Sequence, residues 1–303
     1  MKIFFITVNF HSDSDTLQLV KQLTQCQTPS GVETKIFVVD NSNSVDLKKN
    51  LSQFSKAIYL SSPGNIGFAA GNNLGLKRCL QEEGDLIALI NNDTLVPESL
   101  VLQIISSPIT KQNVGAVGGL IYFAKGFEFR DHYQAQDLGK VIWYAGGKYD
   151  WKNVYASHIG VDEVDKGQYS EEKDTDFITG CFYLTKPEIL QKVGLFDERY
   201  CLYFEDSDLG LRIKKAGFRL VFDPKIKLWH KVAQSSAIGS PLNDYFLTRN
   251  RLLFGFTYAK LRTKIALIRE SLRKVFTGTP AQKIAIKDFY LKNFGWGSFK
   301  KQT

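Results

Sequence analysis

The 303 residues suffice for one large domain or two modest ones with a sizeable core. At 44% apolar and 23% charged the chain has an ordinary globular balance, and no 18-residue uncharged apolar run marks a membrane-spanning helix. The net charge of +8 sits almost wholly in residues 260–303, with eleven Lys/Arg against two Asp/Glu, which leaves residues 1–259 at −1. A body so nearly neutral, without a basic–aromatic module, argues against a nucleic-acid-binding protein.

KIFFITVN (2–9) reads as a β-strand. The run lacks a following small-residue cleavage site, so it does not read as a signal peptide. A helical pattern follows from Asp15 to about Gln25. TKIFVVD (34–40) is a second strand, closed by Asp40-Asn41-Ser42, and KAIYL (56–60) a third, followed by SSPGNIGFAAGNN. A helix is predicted from Gly67 to Gln81, then a fourth strand, DLIALI (85–90). Strands alternating with helices predict a mostly parallel sheet covered on both faces, with ligands at the carboxyl ends of its strands. Residues 121–176 are rich in Tyr, Trp, Lys and Gly without a clean period. FITGCFYL (177–184) is again strand-like, and EDSDLGLRIKKAGF (205–218) reads as a helix with carboxylates in its first turn and a terminal glycine. FRLVFDP and KIKLWH read as two short strands, and from Pro241 the pattern is helical and basic. Cys26, Cys79, Cys181 and Cys201 have no CxxC spacing and read as reduced thiols of a cytoplasmic protein.

The polar tips carry the candidate chemistry. Asn91-Asn92-Asp93 ends a buried strand, where a carboxylate serves either an Asx turn or a hard divalent cation. Glu205, Asp206 and Asp208 crowd one helix start. Such acids suit the helix dipole, and neighbouring carboxylates that raise one another's pKa also suit a general base. His230 ends another strand and becomes a ligand candidate only if the fold brings it near Asp93. There is no GxxxxGK[ST] phosphate loop, and PGNIGFAAGNNLG is not GxGxxG.

In order, the chain reads TVNF, VVDNSNS, PGNIGFAAGNNLG, INNDT, TGCFYL, GLFDERYCLYFEDSDLGLRIKKAGF and WHKVAQSS. Across residues 2–236 this set closely resembles the family 2 inverting glycosyltransferases of the GT-A fold, nearest to the rhamnosyltransferase-like enzymes of bacterial cell-surface polysaccharide synthesis. The resemblance implies a nucleotide-sugar donor, dTDP-rhamnose or a UDP-hexose, a glycan or lipid-linked acceptor, and Mg²⁺ or Mn²⁺. It implies that Thr7, Asn9, Asp40 and Asn41 hold the base and ribose, and that Asn65, Gly67 and Asn72 line the donor pocket. INNDT stands for the DxD motif, with Asn91 in place of its first Asp, Asn92 beside it, and Asp93 as the metal carboxylate completed by His230. Asp206 is implied as catalytic base with Glu205 in support. On the acceptor side lie Gly180, Cys181 and the aromatic residues Trp143, Tyr144, Trp151 and Tyr155, rings that suit either sugar faces or core packing.

The resulting organisation is a GT-A domain over 1–240, with a donor half to about 120 and an acceptor half from about 121. A basic helical extension follows over 241–303. In that extension Leu261, Ile265, Ile268 and Leu272 recur at helical spacing beside Arg262, Lys264, Arg269, Arg273 and Lys274. This pattern fits a helix lying on an anionic membrane at the inner face of the cell membrane, or a helix packed on its own domain. A competing function is an inactive nucleotide-sugar- or carbohydrate-binding protein, against which Asp93, Asp206 and His230 speak.

Overall fold

The computed structural model describes residues 1–130, 133–232 and 239–299. The close of WHKVAQSS (233–236), like residues 300–303 of the tail, lies outside the described residues. The amino-terminal half alternates strand and helix: β1 (Lys2–Asn9), α1 (Asp13–Gln25), β2 (Glu33–Asp40), α2 (Val45–Leu51), β3 (Ala57–Ser61), α3 (Phe68–Gln81) and β4 (Leu86–Ile90). Then come the short β5 (Thr94–Leu95), α4 (Leu100–Ser106) and β6 (Val114–Phe123). β7 (Ile142–Tyr144), β8 (Gly147–Asp150), β9 (Tyr155–His158) and β10 (Lys173–Asp174) fill the stretch without period. β11 (Phe182–Thr185), α5 (Pro187–Val193), α6 (Glu205–Lys215) and β12 (Arg219–His230) complete the sheet, and α7 (Pro241–Tyr258), α8 (Leu261–Thr277) and α9 (Pro280–Tyr290) follow it.

The main sheet runs β10-β12-β6-β11-β4-β1-β2-β3, with β5 on β12 and β7 on β6. β3, β2, β1 and β4 pair in parallel, as do β6 and β12, while β11 runs against both β4 and β6. The carboxyl ends of β1, β2, β4, β6 and β12 therefore share one edge, and β11 starts there. Leu19, Val20, Leu23, Leu47, Leu51, Leu100 and Ile104 cover one face of the sheet from α1, α2 and α4. Leu76, Cys79, Ile189, Leu190, Leu209 and Ile213 cover the other from α3, α5 and α6. Each such side chain contributes ~1.5–3 kcal/mol through burial. Strands buried on both faces read as unbroken apolar runs, as β4 does.

Two elements differ from the sequence expectation. FRLVFDP and KIKLWH form one strand, β12, whose register against β6 shifts between Asp223 and Lys227 around Pro224. β6, wholly buried at the sheet centre, was not anticipated, because GAVGG lacks strand-forming side chains. Its neighbours leave no room for them. A Cβ on Gly115 would lie 2.4 Å from Ile213, one on Gly118 2.8 Å from Ile178, and one on Gly119 2.7 Å from the Ile226 carbonyl.

Beyond Pro241 the chain packs against the body. α7 buries Tyr245, Phe246, Leu252, Leu253 and Phe254. Trp296 Nε1 reaches back to the Asn65 carbonyl at 3.0 Å. On α8 only Leu267 and Ser271 are buried. Leu261, Ile265, Ile268, Leu272, Val275 and Phe276 face outward, with Leu261 73% and Phe276 81% exposed.

Candidate active site

Asp93 and His230 meet across β5 and β12. Thr94 and His230 are register partners, which brings the residue before Thr94 alongside the imidazole. His230 Nε2 lies 3.0 Å from Asp93 Oδ1, and both residues are only 6% exposed. Burial works against a charged ring, but the Cys181 thiol and the Asp93 carboxylate beside it prevail and push His230 up to about 10. The INNDT turn is fixed around this pair. Asn91 N donates to the Cys181 carbonyl at 3.0 Å, Thr94 N to the Asn91 carbonyl at 3.2 Å, and Asn92 Nδ2 to Thr16 Oγ1 at 3.0 Å.

Glu205 and Asp206 open α6 beside Gly180, which directly precedes Cys181 and leads into β11. Asp206 Oδ2 accepts from Gly180 N at 2.9 Å and Oδ1 from Ser207 N at 2.6 Å. A Cβ on Gly180 would sit 3.1 Å from the Phe68 ring, a tight contact that the ring would have to yield to. Burial raises the Asp206 carboxyl above the ordinary carboxylate range against the pull of those backbone donors. Burial, with Asp206 and Asp208 nearby, raises Glu205 well above it. Glu205 is the deeper of the two, and its Oε2 has no hydrogen-bond partner. The arrangement suits one proton held by Glu205 beside an ionised, half-buried Asp206. Asp208 is otherwise engaged, with Arg212 Nε at 2.8 Å and the Tyr258 hydroxyl on its two oxygens.

The donor-side candidates gather at the same edge but differ in what they offer. Asn9 is fully buried and spends its amide on Asp13, Asp40 and Ser42, at 2.9–3.0 Å. Asp40 accepts from Ser42 N and Oγ, Ser44 N and Tyr59 Oη; burial opposes its charge, but these donors hold its carboxyl low. Both brace the turn after β2. Thr7 Oγ1 and Asn41 Oδ1 are buried without a partner, while Asn41 Nδ2 holds the Gly67 carbonyl at 3.2 Å. Asn65 Oδ1 accepts from Gly67 N at 3.1 Å, and Asn72 Nδ2 turns back to the Phe68 carbonyl at 3.0 Å.

The aromatic candidates separate. Trp143 stands edge-on between His158 and His230, with ring centres 4.4 and 4.5 Å away. Tyr144 is fully buried, its hydroxyl on the Phe177 carbonyl, so it packs in the core rather than facing a sugar. Trp151 stacks on Phe254 at 5.8 Å, and Arg251 covers the Tyr155 ring at 4.6 Å. Sequence reasoning missed His158, half-buried with Nδ1 3.0 Å from the Trp143 carbonyl. It also missed Arg249 and Asn250, fully buried in the stretch from Pro241 that reads as helical and basic. The available signal was a charged residue amid the apolar run of YFLTRNRLLF.

Among the described residues no group of three or more His, Cys, Asp and Glu is placed to hold a metal. The donor set nonetheless fits a cation that arrives with a nucleotide, because Mg²⁺-type sites take one or two protein ligands and complete their shell with substrate phosphates and water.

The family model described as "Glycosyltransferase like family 2" matches residues 2–251. The chain is 26% identical over 251 residues to the O-antigen biosynthesis protein RfbC of Myxococcus xanthus, covering 80% of this chain but 18% of that protein. It is 26% identical over 234 residues to the rhamnosyltransferase WbbL of Escherichia coli K12, covering 75% of this chain and 82% of that one. Its fold is similar to a mannosyltransferase of Pyrobaculum calidifontis solved with GDP-Man and Mn²⁺ (TM-score 0.56, 13% identity, 96% of this chain and 74% of that one).

Proposed function

The chain belongs to glycosyltransferase family 2 and has the GT-A fold, and from that premise we propose that it is an inverting enzyme. It moves a sugar from dTDP-rhamnose or a UDP-hexose to a glycan or lipid-linked acceptor in bacterial cell-surface polysaccharide synthesis. One observation carries this reading. Gly180 donates to Asp206 and its neighbour Cys181 lies against the Asp93 turn and His230, so one dipeptide separates the candidate base from the candidate diphosphate site. Glycosyl transfer needs those two functions on opposite sides of one reacting carbon.

In the step we propose, Asp206 takes the proton of an acceptor hydroxyl. The hydroxyl oxygen forms its bond to the anomeric carbon as the bond to the nucleoside diphosphate breaks, and configuration inverts in one displacement. Glu205 keeps its proton and leaves Asp206 to act as base. Asp93, and His230 once it gives up its proton, would hold Mg²⁺ or Mn²⁺, which would supply charge neutralisation for the departing diphosphate. Thr7 and Asn41, with buried unpartnered oxygens, support a nucleoside contact more directly than Asn9 and Asp40, which brace the turn. The test is a donor panel with acceptor, scored for nucleotide release and for the anomer formed, with Mn²⁺ or EDTA. A retained anomer, or release indifferent to EDTA together with a fully active Asp93→Ala, overturns the corresponding part of the proposal.

The outward face of α8 supports a second element. It joins an apolar stripe to exposed Arg262, Arg269 and Arg273, a pairing complementary to an anionic bilayer rather than to water. Among the described residues no helix is long and apolar enough to cross a membrane. We therefore assign α8 to peripheral contact with anionic lipid, where a lipid-linked acceptor would be met.

A further inference from the structure

The loop that delivers Glu205 and Asp206 has an unfavourable backbone. Cys201, Tyr203 and Phe204 have φ of 64°, 67° and 72°, a left-handed region that side chains other than glycine's disfavour. Such a loop holds its shape only when its surroundings impose it. Here the constraint comes from α7, outside the strand-end motifs. Asn250 Nδ2 faces the carbonyls of Tyr200, Leu202 and Tyr203 at 2.8, 2.7 and 2.9 Å. Arg249 Nη2 donates to the carbonyls of Arg199 at 3.1 Å and Tyr200 at 3.0 Å. Its Nε donates to Asn250 Oδ1 at 3.0 Å, which fixes which end of that carboxamide faces the loop. Its Nη1 donates to Tyr245 Oη and the Gly295 carbonyl, so every guanidinium donor is used. Neither side chain is exposed at all. Packing alone would be met by an apolar residue, since burying a guanidinium and a carboxamide is unfavourable unless their hydrogen bonds matter. The same loop also reaches the donor side, where the Cys201 carbonyl accepts from Ala69 N at 3.0 Å.

We infer that Arg249 and Asn250 are positioning residues for the Glu205–Asp206 pair: α7 holds the loop in its left-handed form so that Asp206 meets the acceptor. The inference rests on the transferase reading, and its test separates the two. Asn250→Ala removes the donors to three carbonyls; Asn250→Ser, which keeps one small donor, serves if that variant does not fold. Three readouts are compared with the parent: kcat for dTDP release from dTDP-rhamnose, or for UDP release if the donor panel selects a UDP-sugar, the Kd of that nucleotide, and amide exchange over residues 201–207. The expected result is a kcat reduced ~10–100-fold, as small misplacements of reacting groups produce. Kd stays within about threefold, and exchange in the loop accelerates. Tyr203→Gly, added to Asn250→Ala, recovers part of the kcat and slows the exchange, because glycine adopts φ near 67° readily. An unchanged kcat, loop exchange as slow as the parent's, or a loss of kcat matched by an equal loss of nucleotide affinity overturns the inference. If the parent releases no nucleotide from any donor, the transferase reading fails on its own. Loop exchange and its reversal by Tyr203→Gly then decide whether α7 holds the loop.

Discussion

Replacing Gly67 by alanine drives a methyl group into the junction between the loop after β3 and the loop that leads into α6. Gly67 has φ 88° and ψ 174°, a combination open essentially to glycine alone, so the backbone term is ~1–3 kcal/mol. The new Cβ would lie 2.5 Å from Cys201 Sγ and 3.2 Å from the Cys201 carbonyl oxygen. The thiol is buried, with Cys201 2% exposed, and overpacking of this kind adds ~1–3 kcal/mol. The sum, ~2–6 kcal/mol, is a large share of the ~5–15 kcal/mol of a typical fold. Urea unfolding of Gly67→Ala, Cys201→Ala and the double variant closes a thermodynamic cycle. Removing Sγ should return the overpacking part and leave the backbone part, a coupling of ~1–3 kcal/mol. A Gly67→Ala loss below ~1 kcal/mol, or no coupling, would refute the view that these two loops are pressed together here.

The Arg251 fork on Glu270, at 2.8 and 2.9 Å, with Lys274 at 3.1 Å, lowers the Glu270 carboxyl to about 2. That stabilisation is present above pH 4.5 and lost as pH falls toward 2; Glu270→Gln should cost ~1–3 kcal/mol at pH 7, allowing for partial exposure, in a urea titration, and nothing near pH 2. Burial lowers His158 to about 4. The unfolded imidazole takes its proton near pH 6.5, so the unfolded state binds more protons in that window and stability falls as pH drops from 6.5 to 4; His158→Phe should flatten this slope, and an unaltered slope would contradict the assignment. Leu272→Gln with Phe276→Gln should weaken flotation with phosphatidylglycerol vesicles at least tenfold, each side chain contributing ~1.5–3 kcal/mol when fully buried, with neutral vesicles bound weakly by all forms. Equal binding by parent and variant would return α8 to an ordinary solvated helix.

The parts legible in the sequence were those whose chemistry is local. Apolar runs ending in Asn9, Asp40 and Asn91-Asn92-Asp93 mark buried parallel strands whose tips share an edge, and the acids of α6 mark a helix start. The route by which Asp93 reaches His230 is a register pairing over 137 residues, which a single chain read in order cannot show. β6 escaped because the tight spacing that demands Gly115, Gly118 and Gly119 belongs to its neighbours. Arg249 escaped for a related reason. A buried arginine is spelled like a surface one, and only its carbonyl acceptors on a loop 50 residues away reveal the difference. Asn9 and Asp40 show the converse, since polar tips that read as ligand contacts are largely committed to each other.

The claim on which the rest depends is that Asp206 accepts the acceptor's proton. Asp206→Asn keeps the shape and the acceptor Oδ for Gly180 N, but cannot take up that proton. Isothermal titration with the product nucleotide and Mn²⁺ should give a Kd within about threefold of the parent. Glycosyl transfer on the same preparation should fall ~10²–10⁴-fold, as loss of a general base requires. Full transfer by Asp206→Asn, with nucleotide binding intact, would contradict the account.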